Sequence, residues 1–257
     1  MKEQVEDFVK AYVASYKSHV CVHTDWGEPI VAFADAQDPL FKKLKEIVDP
    51  AHFLPSDLLA DARTVISYFV PFTKETVSSN NRGKAASKQW AQSYTETNQM
   101  ITNLNVVLSD LFKKYGFKAT TTMPTHNFDE AKLVSYWSQK HVAYIAGLGK
   151  FGLHYMIITE KGCCGRIGSI VTNAKIEPTQ RSPSEFCLYK LTGSCRVCIK
   201  KCALRALKTD SLDKQACYKE CLRNAKTYAA LGLADVCGKC ATEIPCSLRN
   251  PSKTEEK

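Results

Sequence analysis

Along residues 1–18, Val5, Phe8, Val9, Tyr12, Val13 and Tyr16 recur at three- and four-residue spacing, which predicts an amphipathic helix. The segment from Trp26 to Ala34 reads as a turn followed by a strand, and Leu40–Val48 as a helix closed by Asp49-Pro50. Residues 62–71 form a β-branched and aromatic run bounded by Pro71, the signature of a buried strand. Residues 73–88 are polar and predict a long loop with a functional role. A long helix is expected from about Trp90 to Tyr115, ended by Gly116. Phe117–Met123 reads as a strand stopped by Pro124, and Asp129–Ala146 as another helix. Leu153–Thr159 and Ile167–Thr172 read as two strands joined by a tight Gly-Cys-Cys-Gly turn. Helices interleaved with strands predict a layered α+β fold.

Composition changes this picture in one place. The chain has 257 residues, 44% of them hydrophobic, enough for a sizeable core. Of its 12 cysteines, only Cys21 precedes residue 163, and the rest fall between Cys163 and Cys246. The net charge of +9 is also lopsided: residues 187–257 carry 14 Lys+Arg against 7 Asp+Glu, or +7, which leaves +2 for residues 1–186. The N-terminus MKEQVEDFVK has neither a basic nor an apolar signal region, and no apolar run approaches the ~20 residues of a bilayer span. A cytoplasmic, reducing setting with no membrane partner is therefore expected, where clustered cysteines mean metal or redox chemistry rather than disulfides. Two domains are expected: an α+β domain over 1–180 and a cysteine-rich domain over 181–257.

Ala146-Gly-Leu-Gly-Lys-Phe-Gly152 matches G-x-G-x-x-G. A dinucleotide fingerprint needs a strand before it and a helix after it, and here the order is reversed, which excludes that reading. Two readings remain: a helix cap followed by a strand entry, and close backbone approach to a flat or bulky cofactor.

The cysteines run Cys187-x7-Cys195-x2-Cys198-x3-Cys202, then Cys217 and Cys221, then Cys237-x2-Cys240-x5-Cys246. Ferredoxins with two [4Fe–4S] clusters use C-x2-C-x2-C-x3-C runs, with the last cysteine of each run crossing to the other cluster. Here the first cysteine of the first run is displaced: Thr192 stands at its position and Cys187 substitutes. The crossing rule assigns one cluster to Cys187, Cys195, Cys198 and Cys246, and the other to Cys202, Cys217, Cys237 and Cys240. Cys221 lies one helical turn from Cys217 and is an alternative to it. Paired C-x2-C motifs also build zinc sites, but the x3 spacing and the cysteine number favour iron–sulfur. Cys163 and Cys164 read either as small turn residues or as cofactor-facing thiols, and Cys21 as a buried structural thiol.

Ser138-Gln-Lys-His-Val-Ala-Tyr-Ile-Ala-Gly-Leu-Gly-Lys-Phe-Gly152, followed by Arg166-x-Gly-Ser-Ile-Val-Thr172, resembles the cofactor-binding segment of epoxyqueuosine reductases. Cys202-Ala-Leu-Arg-Ala-Leu207, Asp235-Val-Cys-Gly-Lys-Cys240 and Ile244-Pro-Cys246 resemble the double-cluster module that follows it, in its shorter form from anaerobes. The resemblance spans roughly residues 60–250. It implies a nitroreductase-like domain binding cobalamin, with FMN as the alternative, and a ferredoxin-like module of two [4Fe–4S] clusters supplying electrons. It implies an oxidoreductase whose cofactor contacts are Lys140, His141, Tyr144, Gly147, Leu148, Gly149 and Gly152.

Two features depart from the family. Its helical-repeat tail, which helps hold tRNA, does not follow the clusters here. Its catalytic Asp-Ser/Thr-Ala-Pro stretch has no clear equivalent in Met123–Glu130, where Asp129 is the candidate acid and His126 a second. Both also fit helix-capping roles. Three functions follow: a corrinoid-dependent reductase of a small molecule, fed by a redox partner; an electron-transfer protein that reduces a partner's corrinoid; and tRNA binding, which no aromatic interleaving of the basic residues supports.

Overall fold

The structure is a computed structural model that describes residues 1–253. Its elements are α1 (Lys2–His19), β1 (Ile30–Asp35), α2 (Pro39–Ile47), α3 (Pro55–Leu58), β2 (Thr64–Pro71), α4 (Lys74–Ser79), α5 (Lys88–Lys114) and β3 (Ala119–Thr121). They continue with β4 (Phe128–Asp129), β5 (Val134–Ser135), α6 (Gln139–Ala146), β6 (Gly149–Phe151), β7 (Ile157–Thr159) and β8 (Gly165–Thr172). The cysteine-rich part carries α7 (Leu188–Thr192), α8 (Val197–Lys201) and α9 (Lys214–Thr227).

An antiparallel sheet of order β1-β2-β8-β3 forms the middle layer. Side chains alternate across a strand, so a sheet covered on both faces needs apolar residues at every position. All eight residues of β2 are accordingly buried. Ile66, Tyr68 and Val70 face one core with Val5, Val9 and Val13 of α1 and Leu104, Leu108 and Phe112 of α5. Val65 and Phe69 face the other, with Phe41 of α2 and Val142, Ile145 and Ala146 of α6. Truncating a fully buried Leu such as Leu104 costs about 2–5 kcal/mol, a large fraction of a domain's margin. Asp38 caps α2 by accepting from the Leu40 N–H, with Pro39 at its first position.

Three local expectations change. The polar stretch 73–88 contains the helix α4, capped by Thr73, and folds back on itself through Asn80, whose Oδ1 accepts from Ser87 N–H. The helix expected over 129–146 begins only at Gln139. The Asp129 Oδ1 accepts from the Ala131 and Lys132 N–H groups, a local side-chain turn that competes with helix, and Tyr136 N–H bonds back to Asn127 O. The two strands around Gly-Cys-Cys-Gly do not pair with each other: β7 pairs with β6 in a small separate sheet, and β8 with β2 and β3. Cys21, expected to be buried, is exposed.

A third core joins the two halves of the chain. It combines Phe72, Val77, Ala86, Trp90, Leu153 and Ile158 with Phe186, Cys187, Cys198, Leu207, Ala241, Ile244 and Cys246.

Candidate metal centres

Cys187, at the start of α7, Cys195 before α8, Cys198 within it and Cys246 line one small cavity together with Leu153, His154, Ile244 and Pro245. Its walls are apolar apart from His154 and the sulfurs. Burial and the neighbouring thiolates push the Cys198 thiol up to about 12, and Cys246 is also raised. Sulfurs crowded so tightly resist ionising one after another unless a cation neutralises them, and a coordinating metal deprotonates thiols outright.

Cys202, Cys217 and Cys237 lie close enough to Cys240 to act on its thiol, as does Cys198 of the first cavity. Burial raises Cys240, and the charges of Cys237, Cys217 and Cys202 add to it. Cys217 and Cys221 sit one turn apart on α9 and hydrogen-bond to each other, which lowers Cys217 and raises Cys221. Lys140 stands beside this group and also favours the Cys217 thiolate. Burial pushes Lys140 down, Lys214 adds to this, and the thiolates of Cys217 and Cys240 oppose it.

Lys239, between the cysteines of Cys237-x2-Cys240, is only 3% exposed. Its Nζ donates to Asn80 O at 2.8 Å and Arg82 O at 2.7 Å. Burial pushes its ammonium down, and Cys237 works against that shift. Asn80, fully buried, donates from its amide to Cys237 O at 2.9 Å. The polar stretch 73–88 thus holds the C-x2-C turn rather than an open surface. Gly238 has φ of 72°, and a Cβ there would lie 2.4–2.6 Å from the Trp90 ring. The Trp90 Nε1–H is buried with no partner. An orphaned donor flush against a C-x2-C turn fits a group with acceptor sulfurs in that position.

Cys163 and Cys164 are buried, and their N–H groups bond to the carbonyls of Cys246 and Ser247. His154 Nε2 lies 3.3 Å from Cys246 Sγ. The ligand atoms of His154, Cys163 and Cys246 lie within 4.8 Å of one another.

The glycine segment is used by the chain itself. Gly147 is the left-handed cap of α6, with φ of 88°. Gly149 lies against the Ile158 backbone, where a Cβ would come to 2.0 Å of the carbonyl oxygen. Gly152 leaves room for the His154 ring, 2.6 Å from where its Cβ would stand. Leu148 is buried in the core. The space a side chain would take at Gly149 and Gly152 is thus occupied by the chain's own Ile158 and His154. Lys140, His141 and Tyr144 share a half-buried face of α6. Lys140 Nζ donates to Tyr155 O, the His141 ring packs on Phe151, and Lys150 lies over the Tyr144 ring. Burial holds His141 down at about 4.

Asp129 spends its carboxylate on the turn described above. His126, with φ of 59°, instead points Nε2 at Asp235 Oδ2, 3.2 Å away. Asp235 also accepts from the Tyr94 hydroxyl at 2.8 Å, and the Arg166 guanidinium stacks on the Tyr94 ring. His154, Trp90, Asn80 and Lys239 are the residues that spacing did not single out. Only Lys239 carried a visible signal, a cation between two paired cysteines.

No protein-family model and no curated protein matches the sequence. Solved structures do. An epoxyqueuosine reductase in complex with a tRNA stem loop superposes on 96% of the chain with a TM-score of 0.60 at 18% identity. The fold is that of the epoxyqueuosine reductases. The enzyme from Bacillus subtilis matches over 95% of the chain with a TM-score of 0.57 at 18% identity. A catabolic reductive dehalogenase in complex with 3-bromo-4-hydroxybenzoic acid matches over 87% of the chain with a TM-score of 0.57 at 14% identity. The chain spans 65% and 66% of the two reductases and 30% of the dehalogenase. Among the described residues, no helix is long and apolar enough to cross a membrane.

Proposed function

We propose that the chain is an iron–sulfur reductase with two [4Fe–4S] clusters, one on Cys187, Cys195, Cys198 and Cys246 and the other on Cys202, Cys217, Cys237 and Cys240. The observation that carries this reading is the shared cavity of the first four cysteines, reached from three separate stretches of chain. Clusters of this kind store and pass single electrons. The residues of the chain bind them, exclude water and offset their charge. Lys239 and Lys140 are the half-buried or buried cations beside the second group. Cys217 is its ligand and Cys221 the thiol donating to it, given the opposite shifts of the pair.

The acceptor lies on the mixed sheet-and-helix domain. Cobalamin is the group the family resemblance implies, and FMN the alternative. The α6 face with Lys140, His141 and Tyr144 is the remaining surface among the residues expected to contact it. The use of the Asp129 carboxylate in a local turn favours a second reading: electrons leave for a corrinoid or substrate held by a partner protein. Interaction with tRNA is the third reading, and no aromatic interleaving of the basic residues supports it.

The test is anaerobic. Dithionite-reduced protein is mixed with aquocobalamin, with FMN and with neither, and followed by absorbance. Stoichiometric binding and reduction of either supports a resident acceptor. Stable reduced protein that binds neither supports the partner reading.

A further inference from the structure

His154 is buried, at 4% exposure, and its ring is oriented from both ends. The Met156 N–H donates to Nδ1 at 3.1 Å. A ring nitrogen that accepts carries no hydrogen, so in this tautomer the hydrogen sits on Nε2. That nitrogen faces Cys246 Sγ at 3.3 Å. Gly152 provides the seat: a Cβ there would stand 2.6 Å from the ring, with no other neighbour as close. Cys163, anchored by its N–H to Cys246 O at 2.9 Å, completes a collar round the same cysteine.

We propose that His154 is a positioning residue that tunes the first cluster: its Nε2–H donates to the Cys246 thiolate and raises the reduction potential of the iron–sulfur cluster bound there. This rests on the two-cluster reading above. An electron entering a four-iron cluster makes it more negative, and a hydrogen bond to a ligand sulfur stabilises the more negative state. The step is a one-electron reduction by an external low-potential donor, dithionite in the experiment. No covalent bond forms or breaks, and the hydrogen stays on Nε2. His154 thereby sets the potential of the first cluster from a position that is not a ligand.

The experiment is an anaerobic redox titration of the whole protein, read by electron paramagnetic resonance, with iron counted for every sample. In His154→Leu, one couple moves to more negative potential. At a fixed potential its reduced-to-oxidised ratio falls about tenfold, which is 59 mV for a one-electron couple. The other couple stays put, and His154→Gln, which keeps an N–H donor, restores much of the shift. Gly152→Ala displaces the ring without removing it and gives the same shift, which keeps the test open if the leucine variant fails to fold. Two unmoved couples at full iron content overturn the inference and leave the two-cluster reading intact. Loss of four irons in His154→Leu, or strong nitrogen hyperfine coupling in the wild type, makes His154 a ligand and also overturns it. Wild-type protein without iron overturns both.

Discussion

The Lys239 ammonium and the Asn80 backbone carbonyl meet at 2.8 Å, while the Asn80 side chain reaches back to the Cys237 carbonyl at 2.9 Å. This reciprocal clamp fixes the C-x2-C turn from a segment more than 150 residues earlier. Lys239→Met removes the donor to the Arg82 carbonyl and leaves the Asn80 carbonyl only the longer bond from the Thr242 hydroxyl, and Asn80→Ala removes two side-chain bonds. Each change should cost about 1–3 kcal/mol. The same variants should lose iron to a chelator faster than wild type, with a loss limited to about half the total. Unchanged chelation kinetics would mean that the clamp does not hold a metal-binding turn.

Gly238 and Trp90 make a second close contact. Gly238→Ala adds a methyl group against the indole at a left-handed φ, both unfavourable, and should cost more than 1 kcal/mol and destabilise the neighbouring metal site. Trp90→Phe removes the orphaned N–H and should leave the fold in place while shifting the spectrum of the second cluster alone. Circular dichroism and paramagnetic resonance on the two variants separate these effects.

The Cys217–Cys221 pair yields a cleaner substitution. Cys221→Ala should keep both metal centres, and Cys217→Ala should lose the second. If Cys221→Ala loses the iron instead, the two residues exchange roles.

Stability should depend on pH through two histidines. His52 is fully buried, with Nδ1 toward Phe53 O and Nε2 accepting from Ser138 N–H; burial lowers it. Burial also lowers His141, to about 4. In the unfolded chain both take up protons near pH 6.5. Between pH 6.5 and about 4 the unfolded state therefore binds more protons, so stability is full above this window and falls as pH drops through it. Urea denaturation across that range should show the slope, reduced in His141→Gln. A flat profile would place protonated rings in the folded protein.

Much of the fold was legible because periodicity reports burial directly. α1, β2 and α5 followed from spacing alone, since each buries a continuous apolar face. The segment 129–146 was not, because the Asp129 side chain stabilises a turn inside a helix-like pattern. The strands either side of Gly-Cys-Cys-Gly looked like a hairpin because sequence proximity says nothing about which sheet a strand joins. At the site, cysteine spacing brought Cys187, Cys195, Cys198 and Cys246 to one cavity. The glycine motif serves the helix-cap and strand-entry reading: Gly147 caps α6, and Gly149 and Gly152 admit the chain's own Ile158 and His154. His154 and Trp90 were invisible because their partners are 92 and 148 residues away.

The charge imbalance of the cysteine-rich segment also finds a physical setting. On the proposed reading, two oxidised four-iron clusters with thiolate ligands would add roughly −4 to its +7, and the charge of Lys239 acts on the neighbouring Cys237.

The most direct test of the account is anaerobic purification of the whole chain, with iron, acid-labile sulfide and zinc counted and the dithionite-reduced spectrum recorded. Two clusters require about eight irons and eight sulfides per chain, with the signal of two interacting paramagnetic centres. Stoichiometric zinc with no iron or sulfide would contradict it.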